Sequence, residues 1–225
     1  MTKLLGTGTL RRNPGEPEHP YDDGDAMIAN GLLVRTAEPS ELDRIAPAYA
    51  AAFADEAVVD WVMPYTTGID LAEFFRPSVS SALHEEEVLV AEHLDGTIAG
   101  LSIWSETMSA TRLRSAAAEI ANAAEPALQR TATVLGLIAE HHPEKPHLYL
   151  SAMAVVPEFR GSGAGTAMLR HRLAAADADR RPAYLEASTQ RSTHLYARHG
   201  FRPVGAPLEL PDNGPRLQPM WRDPV

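Results

Sequence analysis

The feature that most constrains this 225-residue chain is a glycine-rich turn between an apolar, β-branched run and a run with helical periodicity. Residues 148–156 form the apolar run, residues 166–178 form the periodic run, and Gly161, Gly163 and Gly165 lie between them. This pattern predicts a strand, a tight turn and a helix. Glycine has no Cβ, so the turn can approach a ligand closely, and unpaired N–H groups at the helix start favour an anion. The stretch therefore predicts a phosphate-binding turn.

Two common phosphate-binding motifs fit this turn poorly. A Walker A loop ends in Gly-Lys-Ser or Gly-Lys-Thr, and the chain has neither sequence. A dinucleotide fingerprint, G-x-G-x-x-G, needs glycine where this chain has Thr166 or Met168. In dinucleotide-binding proteins an acidic residue farther along the chain binds the ribose, and Glu186 lies at a suitable sequence distance from the glycines. A dinucleotide site therefore stays open on spacing alone. Neither motif accounts for the lead-in Pro157-x-x-Arg160.

Two segments resemble signatures of one known family. The pattern Arg160-x-x-Gly163-x-Gly165 resembles the acyl-CoA pyrophosphate loop of the GNAT N-acetyltransferase superfamily. Residues 195–201, Leu-Tyr-Ala-Arg-His-Gly-Phe, resemble its L-Y-x-x-x-G-F signature and follow in the same order. The resemblance implies an α/β (α+β) GNAT fold, in which a central mixed, mostly antiparallel sheet has helices on both faces and a splayed cofactor strand.

The chain divides into an extension and a domain. Residues 1–30 are rich in glycine, proline and acidic residues, so we expect them to be disordered or loosely packed. The GNAT domain is expected over residues 31–225, with a first strand at 32–35 and an amphipathic helix at 39–53. Further on, Asp95-Gly96 between two apolar runs predicts a β-hairpin.

A helical insertion is expected at about 109–142, where a minimal GNAT domain has none. Apolar residues recur there at helical spacing, and Glu125-Pro126 predicts the boundary between two helices. The insertion, the lead-in at residues 142–147 and the ending at 216–221 together resemble the puromycin N-acetyltransferase-like branch of the superfamily.

The resemblance implies that acetyl-CoA is the co-substrate. N–H groups of the turn and helix start would bind its diphosphate, and the backbone of the preceding strand would pair with its pantetheine arm. A backbone N–H near Met153–Val155 would polarise the thioester carbonyl, and Arg160 either binds the diphosphate or shapes the loop. The cofactor-binding residues expected on this basis are Ala154, Val155, Val156, Arg160, Gly161, Ser162, Gly163, Ala164, Gly165 and Thr166.

The resemblance also implies two catalytic residues. Tyr196 stands where the family has its general acid, and a phenol stays protonated at neutral pH while it can still protonate a thiolate. Glu186, at the end of a predicted strand, is the first candidate for the base that deprotonates the amine; Glu106 is the second, and water the third. Thr189 stands where many members have an asparagine. Whether the cofactor contact of that asparagine is made here in another form stays open.

Aromatic residues are the candidates for the acceptor pocket. Their rings predict an amine on an apolar or aromatic small molecule, although such residues also build cores. The pocket residues expected are Phe53, Trp61, Tyr65 and Trp104.

The composition limits the classes of partner that the chain is expected to bind. The formal net charge of −10 argues against nucleic acid, which needs a basic surface. The chain has no cysteine, its nine histidines lack metal-binding spacing, and no apolar run has the length of a membrane span. We expect no metal, no membrane association and a cytoplasmic location; monomer and homodimer stay open.

Three functions are compatible with these residues. The first is an N-acetyltransferase for a small-molecule amine, which predicts a lidded cavity on the acceptor side. The second is a protein N-terminal or lysine acetyltransferase, which predicts an open groove between the first-helix loop and the C-terminal hairpin. The third is an acyl-CoA-binding sensor module, which needs no general acid.

Overall fold

A computed structural model of the chain describes residues 27–29, 31–63 and 70–225. Residues 27–29 form the first strand, while the rest of the extension predicted for residues 1–30 lies outside the described residues. The elements are β1 (Met27–Ala29), β2 (Leu32–Thr36), α1 (Leu42–Phe53), α2 (Ala57–Val62), α3 (Leu71–Glu85), β3 (Glu87–His93), β4 (Ile98–Ser105), α4 (Ala110–Ile120), α5 (Pro126–His141), β5 (Leu148–Val155), α6 (Ala164–Ala178), β6 (Ala183–Ala187), α7 (Gln190–Arg198), β7 (Arg202–Pro203), β8 (Leu208–Glu209) and β9 (Arg216–Arg222).

The strands of the described part of the chain form one sheet in the order β1-β2-β3-β4-β5-β6-β9-β7, and β8 pairs with β9. Within these residues β5 and β6 are the one parallel pair, and the other pairs are antiparallel. The hairpin predicted at Asp95-Gly96 joins β3 to β4, with Gly96 at a φ of 85° and Thr97 N–H bonded to the Asp95 carboxylate at 2.9 Å. The predicted mixed, mostly antiparallel sheet is therefore confirmed.

Helices cover both faces of the sheet because successive strand residues point to opposite sides. On one face, α6 and α7 pack on β5 and β6 around a buried cluster that includes Leu148, Leu150, Leu169, Leu173, Leu185, Tyr196 and Phe201. On the other face, α1 and α3 pack on β3 and β4 around Ile45, Val79, Leu83, Val88, Val90 and Leu101. Each such buried aliphatic side chain contributes roughly 1.5–3 kcal/mol to folding, so the two clusters hold the sheet between its helices.

Two helices, α4 and α5, occupy the segment between β4 and β5. Ser109 caps α4 through a bond from Arg112 N–H to its hydroxyl at 3.3 Å, and Pro126 opens α5. Leu113 and Ile138 of this pair pack against the C-terminal strands β8 and β9. No helix among the described residues has both the length and the apolar composition to cross a membrane.

Strand β5 is the point at which the sheet divides. It pairs with β4 along almost its whole length, but with β6 over residues 148–150 alone. The register with β4 shifts at Ser151, because Trp104 lies opposite Leu150 and Ile103 lies opposite Ala152. A β-bulge of this kind bends its strand, so β5 leaves β6 after Leu150 and a gap opens between two parallel strands. The splayed strand expected for this fold is present.

Gly100 tests how closely β4 must approach the bent strand. A Cβ at Gly100 would lie 2.8 Å from the Ala154 carbonyl oxygen of β5. We expect Gly100→Ala to push the two strands apart and to lower the free energy of unfolding by about 1–3 kcal/mol.

The matched control is Gly136→Ala in α5, where a Cβ would have no neighbour within 4 Å. This variant is expected to gain up to about 1 kcal/mol from helix propensity. Urea denaturation of both variants measures the difference, and equal effects at the two sites would contradict the close packing at Gly100.

Candidate active site

A groove of about 790 Å³ lies between the end of β5, the start of α6, α7 and the end of α1. It brings the predicted phosphate-binding turn and the predicted general acid into one site. The expected residues that line it are Ala154, Val155, Arg160, Gly161, Gly163, Ala164, Gly165, Thr166 and Tyr196. Val156 and Ser162, which were also expected to bind the co-substrate, are not in its lining.

The turn has the conformation that its glycines allow. Gly161 and Gly163 have φ angles of 90° and 94°, which residues with a Cβ rarely adopt, and Gly163 is the N-cap of α6. Ser162 N–H donates to the Phe159 carbonyl at 3.1 Å, so it is used inside the turn. A Cβ at Gly165 would lie 3.3 Å from Leu195 of α7, so this glycine also permits the two helices to approach. The first-turn N–H groups of α6 have no partner within the helix, and this end of its dipole attracts anions.

Arg160 is engaged by the protein. Its two terminal nitrogens bind the two Asp55 carboxylate oxygens at 2.5 Å each, and its Nε donates to the Val155 carbonyl at 3.1 Å. This ion pair lowers the pKa of Asp55 and raises that of Arg160. Of the two roles that the sequence left open for Arg160, the contacts fit shaping of the loop, which they tie to the end of α1.

The backbone N–H and C=O groups of alternate β5 residues face the gap between β5 and β6. Val156 N–H donates to the Ala99 carbonyl at 2.9 Å, so it faces β4 and not the gap. By strand alternation the backbone of Ala154 also faces β4, and the N–H groups of Met153 and Val155 face the gap. The backbone of Val155 and of Met153 therefore has the orientation that pairing with a pantetheine arm requires, while the backbone of Ala154 and Val156 faces β4; which groups bind the arm stays a prediction.

Tyr196 is buried, with 6% of its surface exposed, and packs edge-on against Phe201 at 5.9 Å. It lies on the α6–α7 face of the sheet and lines the groove. Burial raises the pKa of Tyr196, and the negative charge of Glu56 raises it further. The phenol therefore stays protonated across the physiological pH range.

Glu186 lies on the opposite face, directly after Leu185, the last β6 residue that pairs with β5. Tyr149 OH donates to Glu186 Oε2 at 2.8 Å, while the Tyr184 hydroxyl lies beside the carboxylate without hydrogen-bond geometry. Burial raises the pKa of Glu186 to about 7, and the two tyrosine hydroxyls oppose this shift. Tyr196 and Glu186 thus lie on opposite faces of the sheet, and Glu186, at the point where β6 leaves β5, is not in the lining of the groove.

Glu106, the second candidate base, is used elsewhere. Its two oxygens pair with Arg172 at 2.8 Å and with Arg181 at 2.6 Å. Both partners belong to or follow α6, so this carboxylate joins α6 to the end of β4. These ion pairs leave Glu106 with a structural role.

The four residues expected in the acceptor pocket separate in the structure. Trp104 is 1% exposed and donates its Nε1–H to Ser102 at 2.9 Å, so the structure places it in the core. Phe53 stacks on Tyr49 at 4.4 Å at the end of α1. Trp61 contacts the loop between β8 and β9, and Tyr65 lies outside the described residues.

Two site residues, Glu56 and Tyr149, were not identified from the sequence, and the capping role of Thr189 was not predicted. Glu56 lines the groove and caps α2, where its carboxylate accepts from Val58 N–H at 2.7 Å. Tyr149 orients Glu186, a contact between residues 37 positions apart that no local pattern reveals. Thr189 caps α7 by accepting from Ser192 N–H at 3.0 Å, and the Thr-x-x-Ser spacing was the available signal.

Fold and groove together define the architecture of an acyltransferase, with a glycine-lined helix start beside a divided sheet. Residues 84–203 match the family model described as acetyltransferase (GNAT) domain. The match spans more than half of the chain, so the chain belongs to the GNAT acetyltransferase domain family.

Solved structures agree with this assignment. A protein of Corynebacterium glutamicum described as histone acetyltransferase HPA2 and related acetyltransferase is 26% identical, with a TM-score of 0.64 over 87% of this chain and 97% of that chain. Arylalkylamine N-acetyltransferase 2 of Aedes aegypti is 17% identical, with a TM-score of 0.66 over 85% and 98%. The phosphinothricin acetyltransferase of Sinorhizobium meliloti, solved with AcCoA, is 15% identical, with a TM-score of 0.53 over 86% and 88%. The last two show similarity of fold.

Glu186 should make stability depend on pH. Its pKa in the folded protein, about 7, exceeds the ordinary value of 4.5, so folding loses stability as pH rises through this interval. Glu186→Gln removes the buried charge and is expected to be more stable than the natural protein above pH 7, by up to about 3 kcal/mol. At pH 4 the two should be equal.

The control is Glu106→Gln, which loses ion pairs to Arg172 and Arg181 and should be less stable at pH 8. Thermal denaturation at pH 4 and pH 8 compares the three proteins. A Glu186→Gln variant that is no more stable at pH 8 would contradict the burial of this charge.

Proposed function

We propose that this protein transfers an acetyl group from acetyl-CoA to the primary amine of a small molecule by direct attack. The observation that carries the proposal is the gap between β5 and β6, with a glycine-lined helix start at one end and with Tyr196 and Glu186 on opposite faces of the sheet. In the reaction, the amine nitrogen bonds to the acetyl carbon as the carbon–sulfur bond breaks. The amine loses a proton and the thiolate gains one, so the reaction uses a base and an acid.

In this proposal the turn holds the diphosphate of acetyl-CoA. The N–H groups of Gly161, Gly163 and Gly165 donate to it at the positive end of α6, while Arg160 braces the loop from outside. The N–H groups of Met153 and Val155 pair with the pantetheine arm and stabilise the charge on the thioester oxygen. One such donor is typically worth about 3 kcal/mol in the transition state.

Tyr196 is the proposed acid and Glu186 the proposed base. The burial that keeps the phenol protonated also disfavours a free thiolate, so the proton moves to sulfur as the carbon–sulfur bond breaks. Because the pKa of Glu186 is about 7, close to neutral pH, its carboxylate is well matched to accept a proton from the amine.

A contact over the acceptor side supports a small substrate. Trp61 Nε1–H donates to the Pro211 carbonyl at 3.1 Å, and the Arg130 guanidinium lies 4.9 Å from the indole ring. The contact joins α2 to the loop between β8 and β9, the two segments between which a peptide groove would have to open. An arylalkylamine, the substrate class in the name of the mosquito protein, has the size of acceptor that we propose.

We further propose that the chain belongs to the puromycin N-acetyltransferase-like branch, on the support of the paired helices α4 and α5 and of the ending at residues 216–221. We place it in the cytoplasm, as a monomer or homodimer. A protein acetyltransferase and an acyl-CoA sensor are the alternatives, and the experiments below separate them.

Tyr196→Phe tests the acid. We expect kcat to fall about 100-fold, within the range for loss of a positioned proton donor, with little change in the Kd for acetyl-CoA. Thiol release measured across a panel of amines gives kcat, and calorimetry gives the Kd. The rate should rise as Glu186 ionises near pH 7 and stay level to about pH 9, since the pKa of Tyr196 is raised. Full turnover in the variant would contradict the acid role, and no transfer by the unmodified protein to any amine would favour a sensor.

Trp61→Ala tests the acceptor side. Loss of the indole should raise KM for small amines by up to about tenfold, since an aromatic contact is worth about 0.5–1.5 kcal/mol, and should leave KM for acetyl-CoA unchanged. Peptides bearing a lysine or a free N-terminus should become better substrates than they are for the unmodified enzyme. A peptide preference already present in the unmodified enzyme would contradict the proposed substrate class.

A further inference from the structure

Most of the buried polar atoms without a protein partner lie in one place. Among the described residues eight buried side-chain nitrogen or oxygen atoms lack a hydrogen-bond partner, and five of the eight belong to one cluster around Glu186. The five are Glu186 Oε1, Tyr184 OH, His142 Nδ1, His142 Nε2 and His147 Nε2. In native proteins such atoms generally bind ordered water, because an unpaired buried polar group is costly.

The side chains of this cluster are in contact with one another. The ring of His142 lies 4.9 Å from His147, 5.0 Å from Tyr149 and 5.6 Å from Tyr184, measured between ring centroids. The ring of His147 lies 5.4 Å from Tyr184. Tyr149 also holds the other oxygen of Glu186, so the cluster is continuous with the proposed base.

The side chains of this cluster form a row along β5 and β6. In the β5–β6 register, Tyr149 lies opposite Tyr184, Glu186 follows them toward the gap, and His147 precedes them. The row therefore runs from the gap to the start of the two strands. There His147 lies 5.6 Å from the half-buried ring of Trp221. The Lys145 ammonium lies over the ring of Trp221, 5.2 Å from its centroid.

We propose that Tyr184, His142 and His147, with water molecules bonded to them, form a proton route from Glu186 to solvent. The proposal rests on the proposed function. An amine that arrives as ammonium yields amide, thiol and one proton, so one proton per turnover must leave the protein. Glu186 is half-buried, but its Oε1 is buried and its Oε2 is held by Tyr149, so the carboxylate has no direct path for this proton to bulk water. A row of hydroxyl and imidazole groups with unused hydrogen-bonding capacity supplies the route.

The state of the two imidazoles suits this role. Burial lowers the pKa of both, and for His142 the neighbouring His147 lowers it further, to about 4. Both rings are therefore neutral near pH 7, and each presents one N–H donor and one acceptor nitrogen, as a hydrogen-bonded proton relay requires. The other titratable groups facing them are Tyr149, Tyr184 and Glu186, with Lys145 at the edge.

Replacing both imidazoles by phenyl rings separates proton transfer from packing. The double variant His142→Phe, His147→Phe keeps aromatic contacts. It removes three polar atoms that have no protein partner and loses the 2.7 Å bond between His147 Nδ1 and the Lys145 carbonyl, so its melting temperature should change little. Its kcat should fall at least about tenfold, because proton transfer by positioned side chains typically contributes more than this factor to a rate. The solvent isotope effect on its kcat should increase. KM for acetyl-CoA should not change.

The matched control is His141→Phe. His141 precedes His142 in α5 but is exposed, and its Nδ1 meets the Leu137 carbonyl at 3.0 Å. This variant should behave like the unmodified enzyme. Should the double variant fold poorly, His147→Gln takes its place, because glutamine keeps a hydrogen bond but cannot carry a proton; it should also lower kcat.

Two results would overturn the proton route. One is a folded double variant with unchanged kcat and isotope effect, while the unmodified enzyme transfers acetyl groups to the best amine of the panel. The other is a high-resolution crystal structure in which no water contacts Tyr184 OH or His147 Nε2. Failure of the proposed function would instead appear as no transfer by the unmodified enzyme, whatever the crystal shows at this cluster.

Discussion

The bulge at Ser151 is the constraint on which the rest of the site depends. It adds one residue to β5 opposite β4, and in doing so changes which backbone groups face β6. Before the bulge, Leu148 N–H donates to the Pro182 carbonyl on the β6 side at 2.8 Å. After it, Met153 and Val155 have that orientation, but β6 has already turned away. Two parallel strands thus present unpaired backbone to a gap in an otherwise continuous sheet.

The proposed anion site at the end of this gap does not depend on the net charge of the chain. The chain carries a formal charge of −10, and the one arginine of the motif, Arg160, is neutralised by Asp55. What remains to attract a diphosphate is a set of N–H groups and the dipole of α6, held in place by glycines with positive φ, together with Arg191 and Arg198 in the groove lining. Because such attraction is local, it is compatible with an acidic surface elsewhere.

The two proposed catalytic groups owe their properties to the sheet between them. Leu185 points into the cluster of Tyr196, so its neighbour Glu186 must point to the other face. Tyr196 is buried and the Glu186 carboxylate is largely desolvated, which keeps the phenol protonated and brings the carboxylate to a pKa near neutrality.

Much of this arrangement could be predicted from local patterns. The turn at Gly161–Gly165, the hairpin at Asp95-Gly96 and the position of Tyr196 depend on spacing within a few residues. The missed features depend on long-range contacts. The Arg160–Asp55 pair spans 105 positions, the partners of Glu106 come from α6, and the bulge that turns Val156 toward β4 leaves no local signature.

The environment of Trp104 also follows from tertiary packing. An aromatic residue at a strand end is compatible with a position in the core or in a pocket. In this structure α6 packs against Trp104 and buries it.

A crystal structure of the complex with acetyl-CoA tests the central claim most directly. The diphosphate should lie within hydrogen-bond distance of the N–H groups of Gly161, Gly163 and Gly165, and the pantetheine arm should enter the gap beside Met153 and Val155. The thioester should then lie between Tyr196 and Glu186. A ligand bound outside this groove, or a gap closed by pairing of β5 with β6, would contradict the account.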